Sequence, residues 1–241
     1  ESVAESLRGK RILITGSAGS IGSEIVRQVA SFAPSKMMLI DSAETPQHDI
    51  RRMMAHDFPS VPCATVVTSI TKADRMENIF KTFLPEYVFH AAAYKHVPMM
   101  EDNPCESIQN NVLGTKILAD LSVKYGVRRF VMVSTDKAVN PTNVMGCSKR
   151  ICEVYVQSLN KAERDGVVKG QTQFITTRFG NVLGSNGSVI PIFERQIKAG
   201  GPVTVTDPNI IRYFMLIPEA CELVLEAGTK GEGGEIFVFD M

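Results

Sequence analysis

Strand-like and helix-like segments alternate from Arg11 onward in this 241-residue chain, and no other feature restricts the fold as much. Short apolar runs predict strands over residues 11–15, 37–41, 64–68, 87–91, 130–133 and 173–178. Longer segments with helical periodicity predict helices over residues 20–32, 45–57, 71–83, 104–125 and 143–161. Regular alternation of this kind predicts an α/β fold with a doubly wound parallel sheet, in which helices cover both faces.

The alternation stops after residue 178. Residues 180–187 are rich in Gly, Asn and Ser, a composition typical of a loop. Beyond them we expect a helix over 189–199, a short strand over 203–206 and a helix over 218–228. We therefore predict two units: a domain over 1–178 that contains the sheet, and a small lobe over 179–241 that lies over it.

Charge and cysteine content argue against several classes of protein. The chain has 26 basic and 26 acidic residues, and this balance predicts no binding to nucleic acid or to a membrane surface. The five cysteines are scattered without a CxxC pair, which predicts neither a metal site nor a disulfide framework and favours a reducing compartment. No apolar run is long enough to span a membrane.

A glycine-rich turn separates the first predicted strand from the first predicted helix. Its sequence, TGSAGSIG over residues 15–22, spaces its glycines as GxxGxxG at Gly16, Gly19 and Gly22. Glycines let the backbone approach a pyrophosphate, and the N-terminus of a helix favours its negative charge. The turn therefore predicts a dinucleotide-binding site.

Asp41 ends the second predicted strand, nineteen residues beyond Gly22. A carboxylate at this place can bond both ribose hydroxyls and would repel a 2′-phosphate, so it favours NAD over NADP. Arg51 and Arg52 follow within the next predicted helix and keep NADP open as the less favoured cofactor.

Three chemically active side chains follow the strand at 130–133. Thr135, Asp136 and Lys137 stand at its carboxyl end, the edge at which open α/β sheets hold their ligands. A hydroxyl, a carboxylate and an amine in a row can move protons on and off a substrate. We therefore predict that these three residues are catalytic.

Met145 and Lys149 lie four residues apart in the next predicted helix, so they share one helix face. The spacing is similar to that of short-chain dehydrogenases, which normally carry Tyr and Lys at these two positions. The chain retains the cofactor-side Lys and has Met in place of the phenol.

Residues 90–101, with the sequence HAAAYKHVPMME, follow the fourth predicted strand. Small side chains from Ala91 onward would let a cofactor lie against the backbone, and Lys95 would then contact a phosphate or a ribose. We interpret His90 and His96 as structural, without a role in proton transfer.

Eight segments, in their order along the chain, resemble the CapD-like nucleotide-sugar dehydratases of polysaccharide biosynthesis, which are extended short-chain dehydrogenase/reductase proteins. The segments are TGSAGSIG, HAAAYKHVP, NNVLGT, STDKAVNPTN, MGCSK, RFGNVLGSNGSVIPIF, DPNIIRYFM and GGEIFVFDM. The resemblance runs from about Gly9 to the last residue and implies a UDP-N-acetylglucosamine 4,6-dehydratase. Met145 is similar to the long, membrane-anchored members of that family, whereas the short members usually keep Tyr.

The resemblance implies a role in cofactor binding for each matching residue. The glycines would hold the pyrophosphate of NAD, Asp41 the adenine ribose, and Lys149 the nicotinamide ribose. The full set is Gly16, Gly19, Ser20, Ile21, Gly22, Asp41, Ser69, Ile70, Ala91, Lys95, Asn111, Met145 and Lys149. Ser69 stands where the family usually has an Asp that bonds adenine, so we expect weaker fixation of that base.

The same resemblance implies catalytic and substrate-binding roles. Thr135 would contact the C4 hydroxyl of the sugar, Asp136 would protonate the departing C6 hydroxyl, and Lys137 would take the proton from C5. The set expected to hold the UDP moiety is Lys95, Arg178, Asn181, Ser188, Val189 and Arg212. A structural ion pair is the alternative interpretation for Arg178 and Arg212.

We therefore expect an NAD-dependent hydro-lyase that converts UDP-N-acetylglucosamine, or a related UDP-sugar, into a 4-keto-6-deoxy product for bacterial surface polysaccharide. Residues 1–178 would form the NAD-binding and catalytic domain, and residues 179–241 a truncated UDP-sugar lobe. A nucleotide-sugar 4-epimerase is the nearest alternative, but it needs no acid and base at Asp136 and Lys137. A non-catalytic NAD-sensing module is another, but such proteins usually lose the rest of the site together with the Tyr.

The resemblance to the long family members also implies a location. This chain would be a cytoplasmic fragment of a protein that a preceding region anchors to the inner membrane. A homo-oligomer is compatible with the same resemblance.

Overall fold

A computed structural model describes residues 2–185, 189–205, 207–211 and 213–240. The strands are β1 (Arg11–Thr15), β2 (Lys36–Asp41), β3 (Cys63–Val67), β4 (Tyr87–His90), β5 (Arg129–Thr135), β6 (Gln173–Phe179), β7 (Asn181–Leu183), β8 (Phe214–Leu216) and β9 (Ile236–Val238). The α-helices are α1 (Val3–Leu7), α2 (Ser20–Ser31), α3 (Glu44–Asp57), α4 (Ala73–Phe83), α5 (Val97–Asp102), α6 (Pro104–Ser107), α7 (Gly114–Lys124), α8 (Val144–Arg164), α9 (Val189–Lys198) and α10 (Ile217–Lys230).

Within these residues, seven parallel strands form one sheet in the order β3-β2-β1-β4-β5-β6-β9. The order reverses between β1 and β4, and ligands of open α/β sheets bind at such a reversal, beyond the carboxyl ends of the strands. The predicted fold class, a doubly wound parallel sheet of the Rossmann type, is confirmed.

Alternate residues of the strands face two separate cores, because successive side chains of a strand point to opposite faces of the sheet. Ile12 and Ile14 of β1 face a core that includes residues of α2 and α10. Leu13 faces a second core, which includes residues of α4, α7 and α8. Both faces of the sheet are therefore covered, which explains the continuous apolar strands.

The predicted helix over 104–125 forms without a break from Pro104 to Lys124, but its middle is not α-helical. After α6, residues Ile108–Leu113 form a π-helical turn, and α7 begins only at Gly114. A Cβ atom at Gly114 would lie 2.5 Å from Cδ1 of Ile70, so the backbone passes close to the residue that follows β3. Helical periodicity does not report such an approach to a distant segment.

Two further differences lie beyond β6. Asn181–Leu183, predicted as loop, forms β7 and pairs in parallel with β8. The strand expected over 203–206 is wrong for 203–205, which have no regular structure, and Thr206 lies outside the described residues. β9 pairs with β6 and α10 packs against α2, so both elements return to the main sheet. The division of the chain at residue 178 stays a prediction.

Candidate functional site

A cavity of about 340 Å³ opens at the carboxyl ends of β4, β5 and β6. Nine of the residues predicted for the site line it, and they are Ile21, Ala91, Lys95, Thr135, Lys137, Met145, Lys149, Asn181 and Val189. Segments that are far apart in sequence therefore meet at one place, as the order of the parallel strands requires.

The glycine turn at 16–22 lies beside this cavity and needs its glycines for space. A Cβ atom at Gly22 would lie 1.8 Å from the carbonyl oxygen of Gly16. Gly16 itself has a φ of +69°, and a Cβ there would lie 2.6 Å from the backbone nitrogen of Ala92. Gly19 is the N-cap of α2, so the positive end of that helix stands at the turn without a capping side chain.

Asp41 joins this turn to the end of β2. One carboxylate oxygen accepts a hydrogen bond from the backbone N–H of Ala18 at 2.9 Å, and the other accepts from that of Ala43 at 2.9 Å. Each oxygen keeps a second lone pair for another donor. Asp41 is therefore held in place and is still able to accept ribose hydroxyls.

Ser69 and Ile70 follow β3 at the same edge of the sheet. Ser69 Oγ accepts a bond from the N–H of Thr71 and lies 2.8 Å from the Thr71 hydroxyl. Ile70 is buried in the second core, against Gly114. Both residues are thus bound within the protein, and their contact with adenine stays a prediction.

Thr135, Asp136 and Lys137 occupy the end of β5 and a short 3₁₀ turn, Asp136–Ala138. Thr135 Oγ1 donates to Asp136 Oδ1 at 2.9 Å and accepts from the N–H of Lys137 at 3.2 Å. Lys137 Nζ lies 3.2 Å from the same Asp136 oxygen. The three groups therefore form one hydrogen-bonded set, in which Thr135 and Lys137 line the cavity and Asp136 is exposed to solvent.

Lys149 and Met145 approach the cavity from the first turns of α8. Lys149 Nζ donates to the carbonyl oxygen of Val133 at 2.7 Å, which fixes the helix on β5 beside Thr135. Burial lowers the pKa of Lys149. Met145 is 3% exposed and offers only an apolar surface to the cavity.

The described residues that line the cavity include three lysines, Lys95, Lys137 and Lys149, and no aspartate or glutamate. Burial also lowers the pKa of Lys95. A cavity that is lined by positive charge without carboxylates favours an anionic ligand.

Two residues that were predicted as ligand contacts bond other groups of the protein, and their contacts with a ligand stay predictions. Asn111 is buried, and its amide bonds both the N–H and the carbonyl oxygen of Tyr94, as well as Ser148 Oγ. Arg178 forms a two-pronged ion pair with Glu153 and is not part of the cavity wall. The alternative interpretation of Arg178, a structural ion pair, describes this placement, and its contact with UDP stays a prediction.

Asn181 and Val189 line the cavity from β7 and from the first residue of α9. Ser20, the remaining residue predicted for the cofactor, is the first residue of α2. Ser188 and Arg212, both predicted for the UDP moiety, lie outside the described residues.

His90 is buried beneath the site, as expected for a structural histidine. Its Nδ1 lies 2.7 Å from Thr15 Oγ1 and its Nε2 lies 2.8 Å from Thr115 Oγ1. Burial, with a further contribution from the charge of Lys149, lowers the pKa of His90 to about 3. The ring is therefore neutral and joins β4 to β1 and α7.

This pKa predicts a loss of stability in mild acid. An unfolded His titrates near 6.5. Between that pH and about 3, His90 is therefore protonated in the unfolded chain and neutral in the folded protein. We expect the free energy of unfolding to fall by about 2 kcal/mol between pH 7 and pH 5 because of this residue. Urea unfolding at both pH values should show a smaller decrease in His90→Asn, whereas exposed His48→Asn should match the wild type. Equal decreases in all three proteins would contradict the assignment.

The residues at the turn fit a dinucleotide cofactor. Their glycines leave room for a pyrophosphate against the backbone, the N-terminus of α2 favours its charge, and Asp41 retains acceptor capacity. Lys149, also predicted for the cofactor, lines the cavity itself.

The sequence pattern of one protein family, described as polysaccharide biosynthesis protein, matches residues 12–241. The chain belongs to this family. Within the described part of the family member, none of the helices combines the length and the apolar composition that crossing a bilayer requires.

Relatives with biosynthetic names are similar over nearly the whole chain. Capsular polysaccharide biosynthesis protein CapD of Staphylococcus aureus is 49% identical over 240 residues, which cover 99% of this chain and 39% of CapD. Probable polysaccharide biosynthesis protein EpsC of Bacillus subtilis is 46% identical, with the same two coverages. The UDP-glucose 4-epimerase of Rickettsia typhi is 35% identical over 95% of this chain and 65% of its own length. The chain thus spans about two fifths of CapD and EpsC.

Solved structures share the fold of this family member. Pen from Bacillus thuringiensis superposes with a TM-score of 0.90 at 32% identity, over 98% of this chain and 72% of Pen. DesIV of Streptomyces venezuelae, a dTDP-glucose 4,6-dehydratase solved with NAD and a nucleotide, has a TM-score of 0.80 at 23% identity, over 95% of this chain and 74% of DesIV. WbmF of Bordetella bronchiseptica, solved with NAD⁺ and UDP, has a TM-score of 0.77 at 21% identity, over 98% of this chain and 72% of WbmF. At these lower identities the likeness concerns the fold alone.

Three residues at the site were not predicted from the sequence. Phe179 and Phe214 line the cavity, and Glu153 is fully buried behind it. Of these, Glu153 could have been predicted to lie near the site, because it follows Lys149 by one helix turn on the same helix face. Phe214 could not be predicted in this way, because it lies in β8, whose pairing with β7 was not expected.

Proposed function

We propose that this chain is the catalytic region of an NAD-dependent UDP-N-acetylglucosamine 4,6-dehydratase, a hydro-lyase. The observation that carries the proposal is the hydrogen-bonded set of Thr135, Asp136 and Lys137 at the mouth of a lysine-lined cavity. A 4,6-dehydration needs an acid for the leaving hydroxyl and a base for the C5 proton, and this set contains both.

The cofactor would be held by the glycine turn, Asp41 and Lys149. When bound, NAD supplies a hydride acceptor for C4 of the sugar that can later return the hydride to C6. Met145, buried beside Lys149, keeps water away from this end of the cavity.

The contacts of Thr135 supply a first proton transfer that needs no phenol. Thr135 Oγ1 takes the proton of the C4 hydroxyl and passes its own proton to Asp136 Oδ1, to which it is already bonded at 2.9 Å. Asp136 is then a neutral acid, the form that can protonate the C6 hydroxyl as it leaves. The proton from C4–OH thus departs in the released water.

Lys137 completes the proton balance. The proposal requires the neutral amine form to take the C5 proton while the C6 hydroxyl leaves, and the resulting ammonium group, whose protons exchange with solvent, then delivers a proton to C5 when hydride reaches C6. Asp136 ends as the carboxylate and Lys137 as the amine, so each group regains its starting form. The net loss is one water.

The substrate would be a UDP-sugar, because the cavity is lined by positive charge. Lys95 projects from the segment after β4 and would contact the diphosphate, while Asn181 and Val189 would contact the nucleotide from the other side. UDP and UDP-glucose are bound by WbmF and by the Thermotoga maritima 4-epimerase, which share the fold. The preference for an N-acetylated sugar rests on the resemblance to the CapD-like dehydratases.

A UDP-sugar 4-epimerase is the second candidate, and the Rickettsia relatives favour it. An epimerase returns the hydride to C4 and has no use for an acid and a base at Asp136 and Lys137. The product mass separates the two functions, since epimerisation leaves it unchanged.

The decisive experiment uses the full-length protein with NAD and UDP-N-acetylglucosamine. We expect mass spectrometry to find a product that is lighter by one water and carries a ketone. A product of unchanged mass with inverted C4 would establish the epimerase, and an unchanged substrate would contradict both functions.

Cofactor choice is a separate prediction that rests on Asp41. We expect protein stripped of nucleotide to bind NAD several-fold more tightly than NADP, because the carboxylate would face the 2′-phosphate; one such repulsive contact is worth about 1 kcal/mol or more. Calorimetric titration of both dinucleotides into the wild type and into Asp41→Asn checks it. Tighter binding of NADP by the wild type would refute the assignment.

Anchoring to a membrane through a region outside this chain is also part of the proposal. Its support is the resemblance to the long family members and the 40% identity to MJ1061 of Methanocaldococcus jannaschii, which is named an uncharacterized membrane protein. The catalytic region would then act at the cytoplasmic side.

A further inference from the structure

Glu153 is a buried carboxylate that the reaction sequence above does not use. Its side chain is 0% exposed, and its two oxygens accept four hydrogen bonds. Ser134 Oγ donates at 2.6 Å and Arg178 Nε at 2.8 Å to one oxygen. Arg178 Nη2 donates at 2.5 Å and Arg150 Nη1 at 3.0 Å to the other.

Glu153 remains ionised in this environment. Burial alone would raise the pKa of Glu153, but the bonds from Arg178, Ser134 and Arg150 outweigh it and hold the pKa below its ordinary value. A buried ion pair is weak evidence for stability, since apolar residues of similar volume often serve as well. Its geometry is more informative, because each bond has a fixed direction and length.

Two of the three partners belong to the cavity wall or adjoin it. Ser134 lines the cavity and immediately precedes Thr135, and Arg178 immediately precedes Phe179, which also lines it. Ser134 is paired with Arg178 across β5 and β6, so the carboxylate joins the two strands one residue before Thr135 and Phe179. Arg150, the third partner, is 43% exposed and donates one bond to the carboxylate from α8 itself.

The same helix bonds β5 a second time. Lys149, one turn before Glu153 on α8, donates to the carbonyl oxygen of Val133. Successive residues of β5, Val133 and Ser134, are thus attached to α8 through Lys149 and Glu153. Thr135 is the next residue of the chain after these two attached residues.

We propose that Glu153 is a positioning residue, which acts through Ser134 to hold the Thr135–Lys137 segment at a fixed distance from Lys149 and Met145. This inference rests on the proposed function, because it assigns Glu153 to the same dehydration. A displacement of about 1 Å at a reacting group is enough to lower a rate about 10²-fold.

Three variants of the full-length protein separate positioning from general stability. Ser134→Ala removes only the link to β5 and leaves the pair with Arg178. Glu153→Gln keeps the shape of the side chain but removes its charge. Its amide NH₂ also cannot accept the hydrogen bonds that one carboxylate oxygen accepts in the wild type. Arg150→Ala is the matched control, because it removes one bond to the same carboxylate from the exposed side.

We expect Glu153→Gln to lower kcat for dehydration about 10²-fold and Ser134→Ala about tenfold, with KM changed less than about threefold in both. Arg150→Ala should keep the wild-type kcat. Amide hydrogen exchange over residues 134–139 should be faster in Ser134→Ala and Glu153→Gln and unchanged in Arg150→Ala.

Wild-type kcat and exchange in Ser134→Ala would overturn the inference, as would an equal loss in Arg150→Ala. The measurement of amide hydrogen exchange needs no substrate. If the wild type fails to dehydrate UDP-N-acetylglucosamine, the proposed function falls, and faster exchange confined to the two linked variants still supports positioning by Glu153.

Discussion

Replacement of Lys137 by Ala should abolish the release of water and leave the binding of NAD unchanged. The amine is the base proposed for the C5 proton, and loss of such a group lowers rates about 10²–10⁴-fold. The fold should tolerate the change, since the ion pair with Asp136 is partly exposed and contributes roughly 0–1 kcal/mol. Steady-state kcat and calorimetric NAD binding in the full-length protein give the two readings.

Lys149→Ala is the matched control for Lys137→Ala. We expect it to weaken the binding of NAD more than it lowers the rate of the chemical steps. Deuterium incorporation adds a direct reading: in D₂O the wild type should place deuterium at C5 of the product, and Lys137→Ala should form no product to label. Normal dehydration by Lys137→Ala, or loss of NAD binding in step with activity, would remove Lys137 from its role.

Replacement of Thr135 by Val should also be severe. Val conserves the shape of Thr but deletes the hydroxyl that donates to Asp136 Oδ1 and accepts from the N–H of Lys137. The first proton transfer then has no carrier, and we expect kcat to fall about 10²-fold or more, as for loss of a general base. Single-turnover absorbance of NADH, which reports the first hydride transfer, should decrease in parallel.

Met145 provides the comparison, because no proton passes through a thioether. Met145 is 3% exposed, so Met145→Leu, which conserves volume, is a better variant than Ala, whose cavity would add a loss of stability. We expect Met145→Leu to keep kcat within a few-fold of the wild type. A harmless Thr135→Val, or an inactive Met145→Leu, would require a different first step.

The protein contacts of Asn111 and Arg178 could not be predicted from the sequence. Both were predicted at the site, and both are near it, but their polar groups bond Tyr94 and Glu153. A motif places a residue at a strand end or in a helix turn. It does not say which of several nearby polar groups the side chain will bond, because that choice depends on distances between segments that only the packed fold brings together.

Sequence alone determined the parallel sheet, the glycine turn and the position of Thr135–Lys137 at a strand end, since each follows from local periodicity, from the missing Cβ of glycine or from adjacency along the chain. Tertiary structure decided the π-helical turn at Ile108–Leu113, the pairing of β7 with β8 and the burial of Glu153 between two strands. These features depend on contacts between segments distant along the chain, and no local pattern carries the distance between such segments.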